Sequence, residues 1–484
     1  MARESIVIKF GTDGWRDIIA DGFTFANVRD VAQAICDYIK NHKREISSNR
    51  PKLIVGYDTR FLSKEFALES ALVAAANDIE VYLTDDFAPT PAISFSVVDM
   101  RADGAIIITA SHNPPQYNGL KIKASYGGST TPQIIEEIEK QYFVNQEIGK
   151  KPLMVSPLTA KDTGLLKMFN PKKNYIDHLL RIVDNDIFKG CDLRIGVDPL
   201  YGAGQGYLKD ALLLLGCDVD EIHGEINPFF GGVNPEPVDK NLKELKNLVA
   251  SNRYNVGLAL DGDADRIGAI DSEGNFVDSH RIFAVLLKHL AAERGWKGEV
   301  VKTVSTTQMI NILAAKFNLP LFETPVGFKY ICERMLTKDV LIGGEESGGI
   351  GIKNHIPERD GILMSIMLIE TMVTNGKPLK QLIKDLMDEI GYFYYDRLDL
   401  SVDAKEKPKI LKALDTFEPK IIYDTKVNKI SRKDGYKFCL MDGSWLMIRP
   451  SGTEVVIRVY AEASSREKVS NLLNEGRMII EKNS

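Results

Sequence analysis

Short β-branched runs that stop at turn residues recur along the chain with helix-like segments between them, an alternation that restricts the fold to parallel βαβ layers. Three successive sections carry it. In the first, Lys52 to Gly56 reads as a strand ending in Tyr57-Asp58-Thr59-Arg60, and Ser63 to Asn77 as a helix with Ser63 at its N-cap. In the second, Leu193 to Val197 runs into Asp198-Pro199 and the glycines Gly202, Gly204 and Gly206. In the third, Glu299 to Val304 ends in Ser305-Thr306-Thr307, ahead of the apolar helix pattern Met309 to Phe317. The last section differs. From about Gly391 come strands, notably Trp445 to Ile448 and Val455 to Ala461, then an amphipathic helix whose Val469, Leu472, Leu473 and Ile479 share one face. One α/β architecture used three times, followed by a different domain, is the expectation; similarity between the sections is too weak to establish a repeat.

The length of 484 residues exceeds one ordinary core and points to three or four domains. Apolar content of 44% and charged content of 26% are those of a globular protein, and the net charge of −6 is spread rather than blocked, which excludes a nucleic-acid binder. Met1-Ala2-Arg3-Glu4-Ser5 lacks a signal-peptide layout, and Ser365 and Glu370 interrupt the apolar stretch Ile362 to Val373. Neither secretion nor membrane insertion is expected; a cytoplasmic location is. The five cysteines, Cys36, Cys191, Cys217, Cys332 and Cys439, stand far apart without a CxxC pair, as reduced core thiols do.

Chemistry concentrates at strand ends. After the apolar run Ala105 to Ile108 comes Thr109-Ala110-Ser111-His112-Asn113-Pro114, where α/β proteins place functional groups. Ser111 beside His112 suggests a nucleophile, but neighbours on an extended chain face opposite ways, so His112 need not be its base. Asp261-Gly262-Asp263-Ala264-Asp265-Arg266 follows another apolar strand, Asn255 to Leu260. Carboxylates so close repel one another unless a hard divalent cation takes their oxygens, and Mg²⁺ suits a phosphate enzyme best. An EF-hand loop is excluded, because Arg266 and Ser272 stand where it needs glycine and glutamate.

Gly343-Gly344-Glu345-Glu346-Ser347-Gly348-Gly349 offers a carboxylate and a hydroxyl for sugar hydroxyls, although a tight turn with no ligand is the better reading of it on its own. It is no serine-hydrolase elbow, since Glu345 stands at the first glycine position. Arg449-Pro450-Ser451-Gly452-Thr453-Glu454, with Arg458 beyond, combines a guanidinium, hydroxyls and glycine-freed N–H groups suited to a phosphate; a surface hairpin is the competing reading. The Gly202 to Gly206 run is spaced G-x-G-x-G and reads as a turn rather than a dinucleotide fingerprint. Arg16, in the glycine-framed turn Gly11 to Arg16, and Lys121, in Asn118-Gly119-Leu120-Lys121, are cations placed to return to the Ser111 cleft.

Taken in order, the stretches Thr109 to Pro114, Asp261 to Arg266, Gly343 to Gly349 and Arg449 to Glu454 resemble the α-D-phosphohexomutase superfamily across nearly the whole chain, on its phosphoglucomutase-like branch. The resemblance implies four domains around a central cleft: three similar mixed α/β domains, 1–160, 161–271 and 272–391, and a smaller C-terminal α+β domain, 392–484. It implies a phosphorylated Ser111, with Asp261, Asp263 and Asp265 holding Mg²⁺ together with a phosphoserine oxygen. Arg16, Lys121 and His112 would assist proton transfer, Lys121 first among them. Glu345 and Ser347 would bind sugar hydroxyls, and Arg449, Ser451, Gly452, Thr453 and Arg458 the phosphate that is not reacting. Arg266 and Lys329, the latter in Val326-Gly327-Phe328-Lys329, join the substrate contacts.

The implied reaction interconverts glucose 1-phosphate and glucose 6-phosphate, with glucose 1,6-bisphosphate as activator and as the intermediate that turns over in the cleft. Hexose phosphates are the implied partners of a monomer or homodimer. One departure stands out: dual-specificity members carry histidine soon after the loop serine, where this chain has Gly348 and Gly349, leaving His355 as the substitute or as a turn cap. A glucose 1,6-bisphosphate synthase, a phosphomannomutase, a phosphatase and a non-catalytic sugar-phosphate sensor are the rival readings.

Overall fold

A computed structural model describes residues 8, 10–11, 14–42, 50–251, 253–451 and 456–483. Among these residues the strands form four sheets. The first contains β1 (Trp15–Ile18), β2 (Lys52–Tyr57), β3 (Glu80–Thr84), β4 (Gly104–Ile108), β5 (Tyr117–Ala124) and β6 (Leu166–Phe169), in the order β1-β5-β4-β2-β3-β6. The second contains β7 (Arg194–Asp198), β8 (Asp218–Glu221), β9 (Val256–Leu260), β10 (Ile267–Asp271) and β11 (Phe276–Val277), in the order β11-β10-β9-β7-β8. The third contains β12 (Glu299–Thr303), β13 (Leu321–Thr324), β14 (Val340–Gly344) and β15 (Ile350–Ile352), in the order β13-β12-β14-β15. The fourth, antiparallel throughout, contains β16 (Tyr394–Ser401), β17 (Ile421–Ile422), β18 (Thr425–Ser431), β19 (Tyr436–Leu440), β20 (Trp445–Pro450) and β21 (Val456–Ala463).

The first three sheets share one unit. In β3-β2-β4-β5, β8-β7-β9-β10 and β13-β12-β14-β15 the first three strands run parallel and the fourth returns antiparallel to the third. The repeat that residue similarity leaves unproved is therefore explicit in strand order. The loops Thr109–Gln116, Asp261–Arg266 and Glu345–Gly349 all occupy the same place in it, between the third and fourth strands. Each loop thus leaves the carboxyl end of a parallel strand, which is where ligands bind in such sheets.

Sheet pairing moves two expected boundaries. β6 pairs with β3, so the first sheet runs past residue 160, and β11 extends the second past 271. Backbone pairing, invisible in composition, decides both. Ser63 is also not an N-cap: Leu62 caps the helix Ser63–Ala76 in the left-handed region, and Ser63 Oγ donates instead to Asp58 Oδ1 at 2.7 Å.

One apolar core runs through the first three domains, joining Ile54 and Ala92 of the first, Tyr175 and Leu208 of the second, and Phe283 and Leu368 of the third. A second core, including Phe23, Val55 and Phe66, lies on the other face of the first sheet. The C-terminal domain keeps its own core, in which Val469, Leu472, Leu473 and Ile479 of the helix Arg466–Glu481 pack on Phe438, Leu446 and Val459. The stretch from Ile362 forms the helix Gly361–Asn375, buried through Met372; its Glu370 is satisfied by His289 and Arg294 at 2.8 and 2.6 Å. Among the described residues, no helix is long and apolar enough to cross a membrane.

Candidate active site

Ser111 lies buried just past β4, with φ near 52°. That left-handed turn breaks the alternation expected of extended chain. Ser111 and His112 therefore do not face apart: Ser111 Oγ stands 3.3 Å from His112 Nδ1. The loop is held from the turn after β2 by Arg60, whose guanidinium donates to the carbonyls of Ser111, Asn113, Pro114 and Tyr117 at 2.6 to 3.0 Å. Asp58 balances the Arg60 charge at 3.2 Å. Arg16, on β1, reaches the same loop through Asn113 Oδ1 at 3.0 Å.

The second-domain loop meets the first directly. Ser111 Oγ donates to Asp261 Oδ2 at 2.7 Å across the domain boundary. Gly262 permits the approach, since a Cβ there would lie 2.3 Å from the Ser111 carbonyl oxygen. Gly202 also packs closely on Gly262, where a Cβ on Gly202 would lie 2.7 Å from the Gly262 carbonyl oxygen, and Ala203 N–H donates to that carbonyl at 2.9 Å. The glycine run is thus a backbone buttress under the aspartate loop.

Asp261, Asp263 and Asp265 are buried, with ligand oxygens within 4.8 Å of one another. Lys121 Nζ, from β5, donates to Asp263 Oδ2 at 2.7 Å and to Asp265 Oδ2 at 2.9 Å, and Thr90 Oγ1 adds a 2.6 Å bond to Asp263. Arg359 Nε pairs with Asp265 at 2.8 Å, while Arg266 Nε lies 3.8 Å from Asp261 and 3.9 Å from Asp265. Burial, followed by repulsion from Asp265 and Asp263, pushes Asp261 well above the ordinary carboxylate range. Burial would raise Asp263 too, but the Lys121 ammonium outweighs it and holds that carboxyl low. Asp263 Oδ1 and Asp265 Oδ1 remain buried without a hydrogen-bond partner. Hard oxygens with unused lone pairs on a clustered acidic site fit a divalent cation, so the triad suits a metal such as Mg²⁺. His112 is held neutral by burial and then by Arg266, Arg16, Arg60 and Lys121.

The third-domain loop turns partly inward. Glu345 is buried and pairs with Arg359 Nη1 at 3.1 Å; burial raises its carboxyl to about 7 against the pull of Arg359. Ser347 is half-buried beside it. Glu346 is tied down by Ser305 Oγ at 2.7 Å and Thr303 Oγ1 at 3.1 Å. Lys329 is half-buried at the start of the helix Phe328–Thr337. His355 lies enclosed, its ring nitrogens bridging His178 Nε2 and Asp360 Oδ2 at 3.0 Å each and so joining the second and third domains.

In the fourth domain Arg449 and Arg458 are register partners on β20 and β21. Arg449 Nε donates to Asp434 at 2.9 Å, and Arg458 Nε lies 3.7 Å from Asp399. Burial opposes the Arg449 charge, and Asp434 with the more distant Glu346 more than offsets it. Ser451 is buried, its carbonyl accepting from Lys407 Nζ at 2.7 Å. Gly452 and Thr453 lie outside the described residues.

The fold thus brings Ser111, His112, Arg16, Lys121, the aspartate triad, Arg266 and Glu345 into one connected charge network. Sequence reasoning missed Arg60, Thr90 and Arg359. Arg60 ends the turn Tyr57 to Arg60 and Arg359 stands four residues after His355, but nothing local tells an arginine that organises a distant loop from a solvated one.

The chain matches family models for the phosphoglucomutase/phosphomannomutase α/β/α domains I, II and III over residues 7–148, 173–274 and 278–390, and for the C-terminal domain over 399–477. It is 31% identical over 474 residues to a phosphoglucomutase/phosphomannomutase of Thermococcus kodakarensis, covering 98% of each chain. It is 30% identical to a phosphoglucosamine mutase of Fusobacterium nucleatum, again covering 98% of each. The crystal structure of a putative phosphomannomutase from Thermus thermophilus superposes with a TM-score of 0.85 at 32% identity, covering 98% of this chain and 99% of that one.

Proposed function

Since the chain belongs to the α-D-phosphohexomutase superfamily and carries all four of its domains, we propose that it interconverts glucose 1-phosphate and glucose 6-phosphate through a phosphoserine at Ser111. The observation that carries this reading is the 2.7 Å bond from Ser111 Oγ to Asp261, beside two buried aspartate oxygens that accept no hydrogen bond. A serine meant for hydrolysis has no use for that arrangement. A phosphoryl carrier needs it.

In the forward half-reaction the free hydroxyl of the hexose monophosphate attacks phosphorus, the bond to Ser111 Oγ breaks, and glucose 1,6-bisphosphate forms. The proton lost by the attacking hydroxyl must reach the departing Ser111 Oγ, and neutral His112, 3.3 Å from that oxygen, is placed to take it up and hand it on, in preference to Lys121, whose ammonium is bonded to Asp263 and Asp265. Lys121, turned toward Asp263 and Asp265, balances their charge. Asp261, Asp263 and Asp265, with Ser111 beside them, are the residues that would hold Mg²⁺, which when bound supplies positive charge against the transferring phosphoryl group. Glu345 and Ser347 hold sugar hydroxyls. Arg449, Ser451, Gly452, Thr453 and Arg458 receive the distal phosphate, and neither set touches the reacting group. The bisphosphate therefore turns over between two fixed grips, and its other phosphate returns to Ser111.

Gly348 and Gly349, in place of the histidine of dual-specificity enzymes, favour glucose over mannose. A glucosamine phosphate is the second reading, favoured by the name of the Fusobacterium relative. Turnover of glucose, mannose and glucosamine 1-phosphates, each primed with its bisphosphate, separates the three. Accumulation of bisphosphate rather than monophosphate would replace the mutase with a synthase. Ser111→Ala is expected to lower turnover at least about 1000-fold with the circular dichroism spectrum unchanged; activity surviving in that variant sinks the mechanism.

A further inference from the structure

The cysteines scattered in sequence are not all scattered in space. Cys191 and Cys217, 26 positions apart, bring their sulfurs to 3.8 Å, and both are free thiols. Each lies just ahead of a strand of one parallel pair, Cys191 before β7 and Cys217 before β8, where Arg194 is registered against Asp218. Local backbone bonds hold both residues, Cys191 N–H to Phe188 O at 2.9 Å and Cys217 N–H to Leu212 O at 3.1 Å. A disulfide needs sulfurs about 2 Å apart, so from 3.8 Å closure asks for a further approach of less than about 2 Å. Cys217 is buried in the main core, whereas Cys191 is half-buried and reaches solvent.

We propose that Cys191 and Cys217 form a reversible disulfide that staples the second domain under oxidising conditions. The oxidant is a hydroperoxide. The Cys191 sulfur attacks the peroxide oxygen, the O–O bond breaks, and Cys191 becomes a sulfenic acid as one molecule of water or alcohol leaves. The Cys217 sulfur then attacks that of Cys191, the S–S bond forms, and the sulfenic oxygen departs as water with the Cys217 proton. Burial, and then the neighbouring Cys191, raise the Cys217 thiol, so the half-buried Cys191 reacts first and the buried Cys217 resolves it. The closed loop spans β7, the Gly202 to Gly204 buttress and the helix Tyr207–Leu214. Its effect is to restrict the unfolded chain. Because the sulfurs precede β7 and β8 while the aspartate loop follows β9, turnover is left intact.

The test treats the full chain with hydrogen peroxide and maps peptides without reduction. The expected result is one cross-linked pair containing Cys191 and Cys217, lost on adding dithiothreitol and absent from Cys191→Ser and from Cys217→Ala. The oxidised wild type should melt at least about 2 °C above the reduced form with hexose phosphate turnover within about twofold. Cys191→Ser treated alike should show no gain. Oxidation of Cys191 to the sulfinic acid with Cys217 still free, a link through any other cysteine, or a link with no change in melting would overturn the proposal.

Discussion

Arg60 is the residue on which the serine loop depends, although it touches no part of the reacting group. Its guanidinium satisfies the carbonyls of Ser111, Asn113, Pro114 and Tyr117 inside the protein. Arg60→Ala leaves those acceptors and Asp58 uncompensated, and is expected to cost about 3 kcal/mol in urea unfolding and about 100-fold in turnover. Arg60→Lys keeps the charge but not the fork, and should recover little of either. Glu345 supplies a pH dependence. Its folded pKa, about 7, lies above the unfolded carboxylate value. The stability it contributes is therefore complete below about pH 4 and is lost as pH rises through about 7. Urea midpoints should accordingly show wild type losing up to about 3 kcal/mol relative to Glu345→Gln between pH 4 and pH 8.

At the level of elements, three loops of one topological unit bring a serine, three aspartates and a glutamate into one network because each leaves the same strand junction toward the others. Contact between the first two passes through backbone with no room to spare. Gly262→Ala places its Cβ against the Ser111 carbonyl, so the aspartate and serine loops must part. Turnover is expected to fall about 100-fold while far-ultraviolet circular dichroism stays that of wild type. The aspartate loop should also respond to cation. Saturating Mg²⁺ is expected to raise the melting temperature, worth about 3 kcal/mol at a hundredfold excess over the dissociation constant, and chelation to reverse it. Asp263→Asn should abolish that shift, as read by differential scanning fluorimetry.

Over the whole molecule, one core fuses the first three domains, while the fourth keeps a core of its own and joins the third through a small apolar cluster of Val304 with Trp445, Met447 and Tyr460 and through polar contacts. Gln308 N–H donates to Glu462, Val326 N–H to Asp434, and Lys437 Nζ to the Val304 carbonyl, at 2.6 to 2.8 Å. A chain ended after Gly391 should remain folded and melt cooperatively, yet bind glucose 1-phosphate at least about tenfold more weakly in calorimetry for want of Arg449 and Ser451. The sequence alone determined the layered α/β class, the separate last domain and the stretches around Ser111, Asp261 and Arg449, because period, turn residues and clustered charge are local properties that a chain displays before it folds. It did not determine that Arg60 and Arg359 serve distant loops, that His355 is a structural bridge, that β6 belongs to the first sheet, or that Cys191 meets Cys217. Those depend on which segments pack together, and packing is decided by burial summed over the whole chain, to which no single residue's neighbours in sequence bear witness.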